Sequence, residues 1–286
     1  MTTIGVDIGG TKIEAGRVKG RKIVESHLVP TDAKKGKKAV LQHIIKAIEH
    51  VWNSDVASIG IGHPGPLDLK KGLIGNAINL PLHGVYLCDI IQKHFNVPVR
   101  LDNDANCFTL GETLFGKGKG KKTVLGITLG TGVGSGLVIN GSIYHGRNNA
   151  LELGHTTIKF DGRKAKCGNA GCLERYVGTV GLAQSAREAG LKASDGKILF
   201  DLALAGNAKA KRIFQDYGTY LGVGLANFID IFDPDVIIIG GNLTKSWDMY
   251  GKRALNEMKR RTFFSPCPVV RSTLPSASIL GAASLS

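Results

Sequence analysis

The chain contains no apolar run near the ~18 residues that a membrane-spanning helix needs, and no basic-then-apolar leader follows Met1. Its five cysteines form an odd set without the spacing of a disulfide framework, which favours a reducing compartment. Aromatic residues make up only 6% of the sequence and do not interrupt its basic clusters, as they would in a protein that stacks on single-stranded nucleic acid. These absences predict a cytoplasmic protein without membrane or nucleic-acid partners.

Acidic residues are also scarce, since 23 of them against 37 lysines and arginines give a formal charge of +14. The positive charge gathers in short clusters at 34–38, 117–122 and 259–261. No helix-turn-helix precedes the first strand and no zinc-finger spacing is present, so DNA binding is the weaker interpretation. A well-solvated basic surface that attracts anionic substrates is preferred, with polyphosphate as one candidate for the cluster at 117–122.

Glycine is abundant in the clearest pattern of the chain, the segment 124–141 with the sequence VLGITLGTGVGSGLVING. Apolar stretches at both ends predict two strands, and glycines at every second position between them predict a bare loop. Neither a helix after the glycines nor a Lys-Ser or Lys-Thr pair is present, which excludes a dinucleotide fingerprint and a Walker-type loop. Exposed N–H groups at such a tip, with the Thr131 hydroxyl, favour phosphate. A plain glycine-rich hairpin is the alternative.

The chain opens with the same design. A strand at 4–8 leads into Gly9-Gly10-Thr11-Lys12, and a second strand follows at 13–18. Asp7, at the end of the first strand, suits a divalent cation, and Lys12 suits phosphate charge. Two glycine loops of this kind predict a phosphate held from both sides.

A third glycine pair, Gly240-Gly241-Asn242, ends the apolar run at 236–239. Open α/β sheets bind ligands beyond the carboxyl ends of their strands. We therefore include these three residues in the candidate ligand site.

The spacing of apolar residues predicts strands and helices along the whole chain. Further strands are expected at 23–28, 58–62, 97–101, 135–140, 142–145 and 269–270, a hairpin at 67–74, and helices at 40–52, 86–94, 182–189, 198–204, 208–232, 245–261, before Phe115 and from 279. Asn140-Gly141 is a strong hairpin turn. The similar element order of the two halves predicts a duplicated α/β fold with one domain at 1–118 plus 270–286 and another at 119–269.

Polar side chains follow the strand at 97–101, in the sequence Asp102-Asn103-Asp104. One of them is expected to cap the helix that follows. Three exceed what a cap needs, and a carboxylate beside an amide can bind a hydroxyl group and accept its proton, general-base work typically worth ~10²–10⁴-fold in rate.

A second polar group of residues consists of Glu152, His155, Cys167, Cys172 and Glu174. Two cysteines and a histidine suggest zinc, but structural zinc sites nearly always have four ligands and only three are evident. The two glutamates suit hydrogen bonds from a polyol, with an exposed surface position as the alternative for each.

Six motifs together carry a resemblance to a known family. They are Asp7-Ile-Gly-Gly-Thr-Lys12, Pro64-Gly65-Pro66, Leu101-Asp-Asn-Asp-Ala-Asn106, Leu129-Gly-Thr-Gly-Val-Gly134, Glu152-Leu-Gly-His155 and Cys167-Gly-Asn-Ala-Gly-Cys-Leu-Glu174. In this order, over nearly the whole chain, they resemble the ROK family of sugar kinases and repressors. The resemblance implies the actin-like ATPase fold shared with hexokinase, with two α/β domains around a cleft, and a homodimer.

The resemblance also implies roles for individual residues. Asp104 would be the base on the acceptor hydroxyl. The hexose would be bound by Gly65, Asn79, Asn103, Asp104, Glu152, His155 and Glu174. ATP would be held, with Mg²⁺ at Asp7, by Gly9, Gly10, Thr11, Lys12, Gly130, Thr131, Gly132, Val133 and Gly134, while Gly240, Gly241 and Asn242 would lie near the adenosine. Since the ordinary pKa of an aspartate in water is ~3.9, Asp104 would take the proton late, as the sugar oxygen attacks.

Two departures from the family pattern bear on metal and sugar. Zinc would be bound by His155, Cys167 and Cys172, but Ala165 stands where the family has a further cysteine. A three-ligand zinc site and a metal-free loop are both open. Leu151 replaces the glycine that usually precedes the glutamate, which is expected to alter sugar choice.

The leading hypothesis is an ATP-dependent hexose kinase acting on glucose. N-acetylglucosamine, N-acetylmannosamine and fructose kinases, and a polyphosphate-using glucokinase, are the alternatives within the family. From another class, a non-catalytic sugar-responsive regulator is an alternative, although only six residues precede Asp7, where repressors of the family carry a DNA-binding segment.

Overall fold

The computed structural model describes residues 1–76, 80–147, 151–193 and 195–285. The chain divides into two compact units: the first comprises Met1–Gly126, Gly136–Leu151 and Ser272–Ser286, and the second Ile127–Ser135 and Glu152–Arg271. The domain limits given above stay a prediction. Among the described residues, none of the helices combines the length and apolar character needed to cross a membrane.

Groups of strands and groups of helices follow one another along the chain, largely in the predicted order. The strands are β1 Thr2–Ile8, β2 Lys12–Lys19, β3 Lys22–Pro30, β4 Val56–His63, β5 Leu67–Asp68, β6 Leu73–Ile74, β7 Val85–Tyr86, β8 Val99–Asn103, β9 Thr123–Leu129, β10 Val133–Ile139, β11 Ser142–Ile143, β12 Val236–Gly240 and β13 Val269–Arg271. The helices are α1 Lys37–Val51, α2 Leu87–Phe95, α3 Asp104–Phe115, α4 Glu174–Val177, α5 Thr179–Glu188, α6 Gly196–Leu204, α7 Ala208–Phe232, α8 Trp247–Arg261 and α9 Ala277–Ala282.

Two five-stranded sheets have the same topology. Their strand orders are β3-β2-β1-β4-β8 and β11-β10-β9-β12-β13. In each sheet three strands that are consecutive in the chain occupy one side, and two further strands are added on the other side. In the first sheet β1 pairs antiparallel with β2 and parallel with β4. The repeated order is the structural counterpart of the predicted duplication.

Apolar residues explain the core of the first unit. β1 buries Ile4, Val6 and Ile8 completely, because alternate residues of a strand lie on one face of the sheet and this face packs into the core. Helix α1 turns its apolar stripe to the same core, burying Val40, Ile44, Ala47, Ile48 and Val51. The amphipathic spacing predicted for this helix is confirmed.

Glycines let the C-terminal helix α9 approach the sheet very closely. A side chain at Gly5 or Gly60 would collide with the backbone carbonyl of Ile279 or Ala282, respectively. On the opposite side of α9, a side chain at Gly281 would collide with the Cys107 carbonyl in α3. The missing Cβ atoms therefore create the contact among β1, β4, α3 and α9.

The sequence patterns locate most elements to within a few residues. The turn at Asn140-Gly141 has φ values of 51° and 80°, the two left-handed residues that a type I′ hairpin requires. The hairpin predicted at 67–74 is present as the antiparallel pair β5–β6. The structure adds β7 as a third strand beside it and the one-turn helix α4, neither of which the apolar spacing indicates.

Candidate active site

The first glycine loop is a tight turn between β1 and β2. The Gly9 N–H donates to the Lys12 carbonyl at 2.9 Å, and Gly10, Thr11 and Lys12 are exposed. Lys12 Nζ lies 3.2 Å from Glu14 Oε2. The predicted loop is therefore present, with its polar side chains on the surface of the first unit.

A buried threonine fixes this loop from a distant part of the chain. The Thr31 hydroxyl donates to the Gly9 carbonyl at 2.7 Å, and the Thr31 N–H donates to the Thr11 carbonyl at 3.0 Å. Thr31 has no exposed surface. Thr31 thus fixes two carbonyl groups of the loop, those of Gly9 and Thr11. The loop geometry therefore depends on a residue outside the glycine pattern.

The polar turn after β8 caps helix α3 with Asn103. Its Oδ1 accepts the Ala105 N–H at 2.8 Å and the Asn106 N–H at 3.3 Å. Capping, one of the two interpretations of this turn, is thus confirmed for Asn103. The cap engages Oδ1 alone, and Asp104 occupies the first helical position beside it.

Asp7 and Asp104 form an electrostatically strained pair of carboxyl groups. The pKa of Asp7 is raised to about 7, chiefly by burial and secondly by the charge of Asp104, while Lys12 acts in the opposite direction. Burial also raises the pKa of Asp104, against hydrogen bonds from backbone N–H groups. A cation beside these carboxylates would relieve the cost of their charge, so the donor set fits a divalent metal ion.

The proline-rich turn after β4 begins with a neutral histidine. The His63 Nδ1–H donates to the Pro64 carbonyl at 2.6 Å, and burial lowers the pKa of His63 to about 4. The peptide bond between Gly65 and Pro66 is cis. Gly65 belongs to the predicted sugar site, whereas Asn79, also predicted there, lies outside the described residues.

The second glycine loop joins β9 and β10 in the second unit. The Gly130 N–H donates to the Gly132 carbonyl at 3.0 Å, and Thr131 is exposed at the tip. Here again a threonine holds the first carbonyl of the loop, because the Thr179 hydroxyl and N–H both donate to Gly130 O at 2.9 Å. The strand, loop and strand predicted for this segment are confirmed.

Glu174, at the start of α4, contacts this loop directly. Its Oε2 accepts the Val133 N–H at 3.2 Å, and a side chain at Gly132 would collide with the carboxylate. The carboxylate that the sequence assigns to the sugar therefore also touches the loop assigned to phosphate.

Glu152 and His155 flank a short 3₁₀ turn at Leu153–His155. His155 Nε2 lies 3.8 Å from Glu152 Oε2. On the other side of the ring, Nδ1 is buried and has no hydrogen-bond partner in the described part of the chain. A buried ring nitrogen without a donor or acceptor is suited to a metal ion.

Two cysteine sulfurs complete this arrangement. Cys167 Sγ and Cys172 Sγ are 3.7 Å apart, and the ligand atoms of both and of His155 lie within 4.8 Å of one another. Two thiolates on one tetrahedral zinc, each about 2.3 Å from the ion, lie about 3.8 Å apart, so the pair fits zinc. Ala165 supplies no side-chain ligand, and its N–H donates to the Asn169 carbonyl at 2.8 Å.

The third glycine segment begins at the end of β12. Gly240 is buried, and Gly241 has a φ of 89°, a left-handed value that favours glycine. A side chain at Gly241 would also collide with the backbone of Leu129. The segment Gly240 to Asn242 thus packs directly beside the strand end that leads into the second glycine loop.

Sequence reasoning missed three polar residues that contact these motifs: Thr31, Thr179 and His145, whose Nε2 lies 2.7 Å from Asp102 Oδ2. Each lies twenty or more positions from the residue that it contacts. No local sequence pattern distinguishes these two threonines and this histidine from others in the chain.

The chain was compared with known proteins. The ROK family model matches residues 3–286. A glucokinase from Halalkalibacterium halodurans is 35% identical over 268 residues, 86% of this chain and 81% of its own. A glucokinase from Thermotoga maritima is 34% identical over an alignment of 307 residues, 100% of this chain and 97% of its own.

Among solved structures, a ROK family glucokinase from Streptomyces griseus, in complex with glucose and AMPPNP, is similar over 100% of this chain and 99% of its own. The TM-score is 0.88 at 30% sequence identity. The motifs, the repeated sheet and these likenesses agree. This chain therefore belongs to the ROK family and has the actin-like ATPase fold of the family's sugar kinases.

Proposed function

We propose that this sugar kinase is a glucokinase, which transfers the γ-phosphoryl group of Mg-ATP to a hydroxyl group of glucose. The coarser statement, that it is a sugar kinase, rests on the family match and on the kinases similar to it. The choice of glucose is supported by the glucokinases among those relatives. A cytoplasmic location and a homodimer belong to the same proposal.

The position and the raised pKa of Asp104 are the main support for the proposed mechanism. Asp104 stands at the first position of α3 beside the cap residue Asn103, and its pKa is raised by burial. A raised pKa makes the carboxylate a stronger base than an ordinary aspartate. We assign to Asp104 the proton of the attacking hydroxyl, and to Asn103, Gly65, Asn79, Glu152, His155 and Glu174 the binding of the hexose.

Phosphoryl transfer asks mainly for positioning and charge neutralisation. Backbone N–H groups of the two glycine loops and the Lys12 ammonium suit the phosphates of ATP. Asp7 would hold Mg²⁺, which neutralises phosphate charge when bound. Gly240 to Asn242 would lie near the adenosine.

The decisive experiment measures ADP formation with Mg-ATP and a panel of glucose, mannose, fructose, N-acetylglucosamine and N-acetylmannosamine. We expect the highest kcat/KM with glucose and a loss of ~10²–10⁴-fold in kcat for Asp104→Asn. Asp201→Asn, an exposed aspartate on α6, is the matched control and should retain activity. A different preferred sugar would overturn the choice of glucose, and faster turnover with polyphosphate would overturn ATP as donor.

We also propose that His155, Cys167 and Cys172 bind one Zn²⁺, with a fourth ligand that is not a side chain of the described residues. The 3.7 Å sulfur separation and the unpartnered Nδ1 support it. Zinc would tie the loop that carries Cys167 to the turn that carries His155.

Metal analysis of protein purified without chelators tests this site. We expect one zinc per chain in the wild type and in Cys88→Ser, a cysteine remote in sequence, and none in Cys172→Ser. Ala165→Cys should tighten zinc binding in a competition with a chelating dye. Metal-free wild-type protein that does not take up added zinc would contradict the proposal.

A further inference from the structure

A buried carboxylate adjoins the turn that carries Asp104, and an unassigned histidine is bonded to it. Asp102 is the next-to-last residue of β8. Its side chain is only 5% exposed, and its Oδ2 lies 2.7 Å from His145 Nε2. His145 follows β11, in the same unit but 43 positions along the chain. The contact joins the β11 segment to the start of α3.

The other oxygen of Asp102 holds the turn itself. Oδ1 accepts the Asn103 N–H at 2.7 Å and the Asn106 Nδ2–H at 2.8 Å. Asp102 therefore fixes the orientation of the peptide group that leads into Asn103. Asn103 in turn caps the helix whose first residue is Asp104.

The hydrogen bond from His145 is charge-assisted. Its bond to Asp102 raises the pKa of His145, against the effect of partial burial. Hydrogen bonds to ionised groups are shorter and about twice as strong as neutral ones. A carboxylate buried to this degree is costly unless it is paired, so the bond from His145 helps to hold Asp102 in place.

We propose that His145 is a positioning residue that acts through Asp102 to hold the Asn103–Asp104 turn in the geometry that binds and deprotonates the hexose. The inference rests on the proposed function, since it assigns Asn103 and Asp104 to the sugar. His145 itself touches neither ATP nor the transferred phosphoryl group in this scheme.

A surface pair in the same unit shows what a merely structural contact looks like. His94 Nε2 lies 3.0 Å from Glu49 Oε1, with side chains 42% and 49% exposed. Exposed pairs contribute little. The pair resembles His145–Asp102 in its atoms but lacks the buried carboxylate and the bonded turn, which makes His94→Ala a matched control.

The test compares wild type, His145→Ala, His145→Gln, Asp102→Asn and the double variant His145→Ala/Asp102→Asn. Glutamine presents an N–H group near the position of Nε2 and should keep the bond to Asp102. For each protein, kcat and both KM values are measured, together with glucose affinity by calorimetry and the thermal unfolding midpoint.

We expect His145→Ala to lower kcat by about 10- to 100-fold and to weaken glucose binding, with KM for ATP unchanged, because small displacements of reacting groups have effects of this size. His145→Gln should recover most of the loss. In the Asp102→Asn background the alanine substitution should change kcat by less than about twofold, since the two residues act as one unit. His94→Ala should match wild type.

Other outcomes would overturn the inference. If His145→Ala lowered kcat alone, left glucose affinity per folded molecule unchanged and were not rescued by glutamine, the cause would be a smaller folded fraction. Independent effects of the two single variants would show that His145 does not act through Asp102. If wild type binds glucose but does not phosphorylate it, the proposed function fails, while the affinities of the same variants still decide the role of His145.

Discussion

Replacing Asp7 with asparagine is expected to stabilise the protein while abolishing its turnover. In the folded state the pKa of Asp7 is raised from 3.8 to about 7, chiefly because the carboxyl group is buried and secondly because Asp104 carries a like charge. At about 1.4 kcal/mol for each pH unit, ionised Asp7 costs the fold up to about 4 kcal/mol. Asparagine removes the charge but must still be desolvated, so a gain of about 1–3 kcal/mol is expected.

The gain should depend on pH in a defined direction. Between about pH 4 and pH 7 the folded state retains the proton of Asp7 and the unfolded state does not, so stability falls as pH rises through this window. Urea titrations near pH 4 and pH 8 measure it. Asp7→Asn should exceed wild type in free energy of unfolding near pH 8, and the difference should shrink toward pH 4.

Two results would refute this reasoning. Asp7→Asn could be less stable than wild type near pH 8, which would mean that the carboxylate is stabilised by its surroundings. Alternatively, the difference could be constant with pH, which would exclude a titration of Asp7. Asp201→Asn, an exposed aspartate paired with Lys197, should stay within about 0.5 kcal/mol of wild type at both values.

Three further predictions concern packing, the second loop and a buried glutamate that is paired with arginines. In urea titrations, Gly281→Ala should lower the free energy of unfolding by about 2–3 kcal/mol, because its methyl group meets the Cys107 carbonyl. Gly130→Ala meets no atom within 4 Å and should raise only KM for ATP. In steady-state kinetics, Glu174→Ala should raise KM for both substrates. Glu174→Gln should raise mainly KM for glucose, since an amide oxygen can still accept the Val133 N–H. The same KM for ATP in both variants would show that this contact does not affect ATP binding. Hydrogen bonds from arginines lower the pKa of Glu257 to about 2. Above pH 4.5, Glu257→Gln should therefore lower the free energy of unfolding by about 1–2 kcal/mol, a figure reduced because the arginines are exposed, and the loss should shrink as pH falls toward 2. A loss of zero at every pH would mean that solvent screens the ion pairs fully.

The sequence predicted the loops, turns and helix cap, whose geometry depends on residues that are neighbours in the chain. The glycine loops were visible because bare backbone is a property of neighbouring residues. The Asn140-Gly141 turn was visible because its two positive φ values suit asparagine and glycine. The cap on α3 was visible for the same reason, although the sequence did not say which of three polar residues would serve. It is Asn103.

Contacts between distant segments were not predictable in the same way. Thr31 and Thr179 each hold the first carbonyl of a glycine loop, but a threonine twenty or more positions away carries no local mark of that contact. His145 is similar, because its contact with Asp102 forms only when the segment after β11 lies beside the end of β8. Such residues become visible once the sheet topology places the segments together.

The close contact of α9 with β1 and β4 has a consequence for protein synthesis. β1 is translated before α9, whose carbonyls occupy the space at Gly5 and Gly60. At ~5–20 residues per second the gap is roughly 15 to 60 s. During that time the first strands have an incomplete core, and their apolar surface is available to chaperones. The first unit closes only after α9 has been translated.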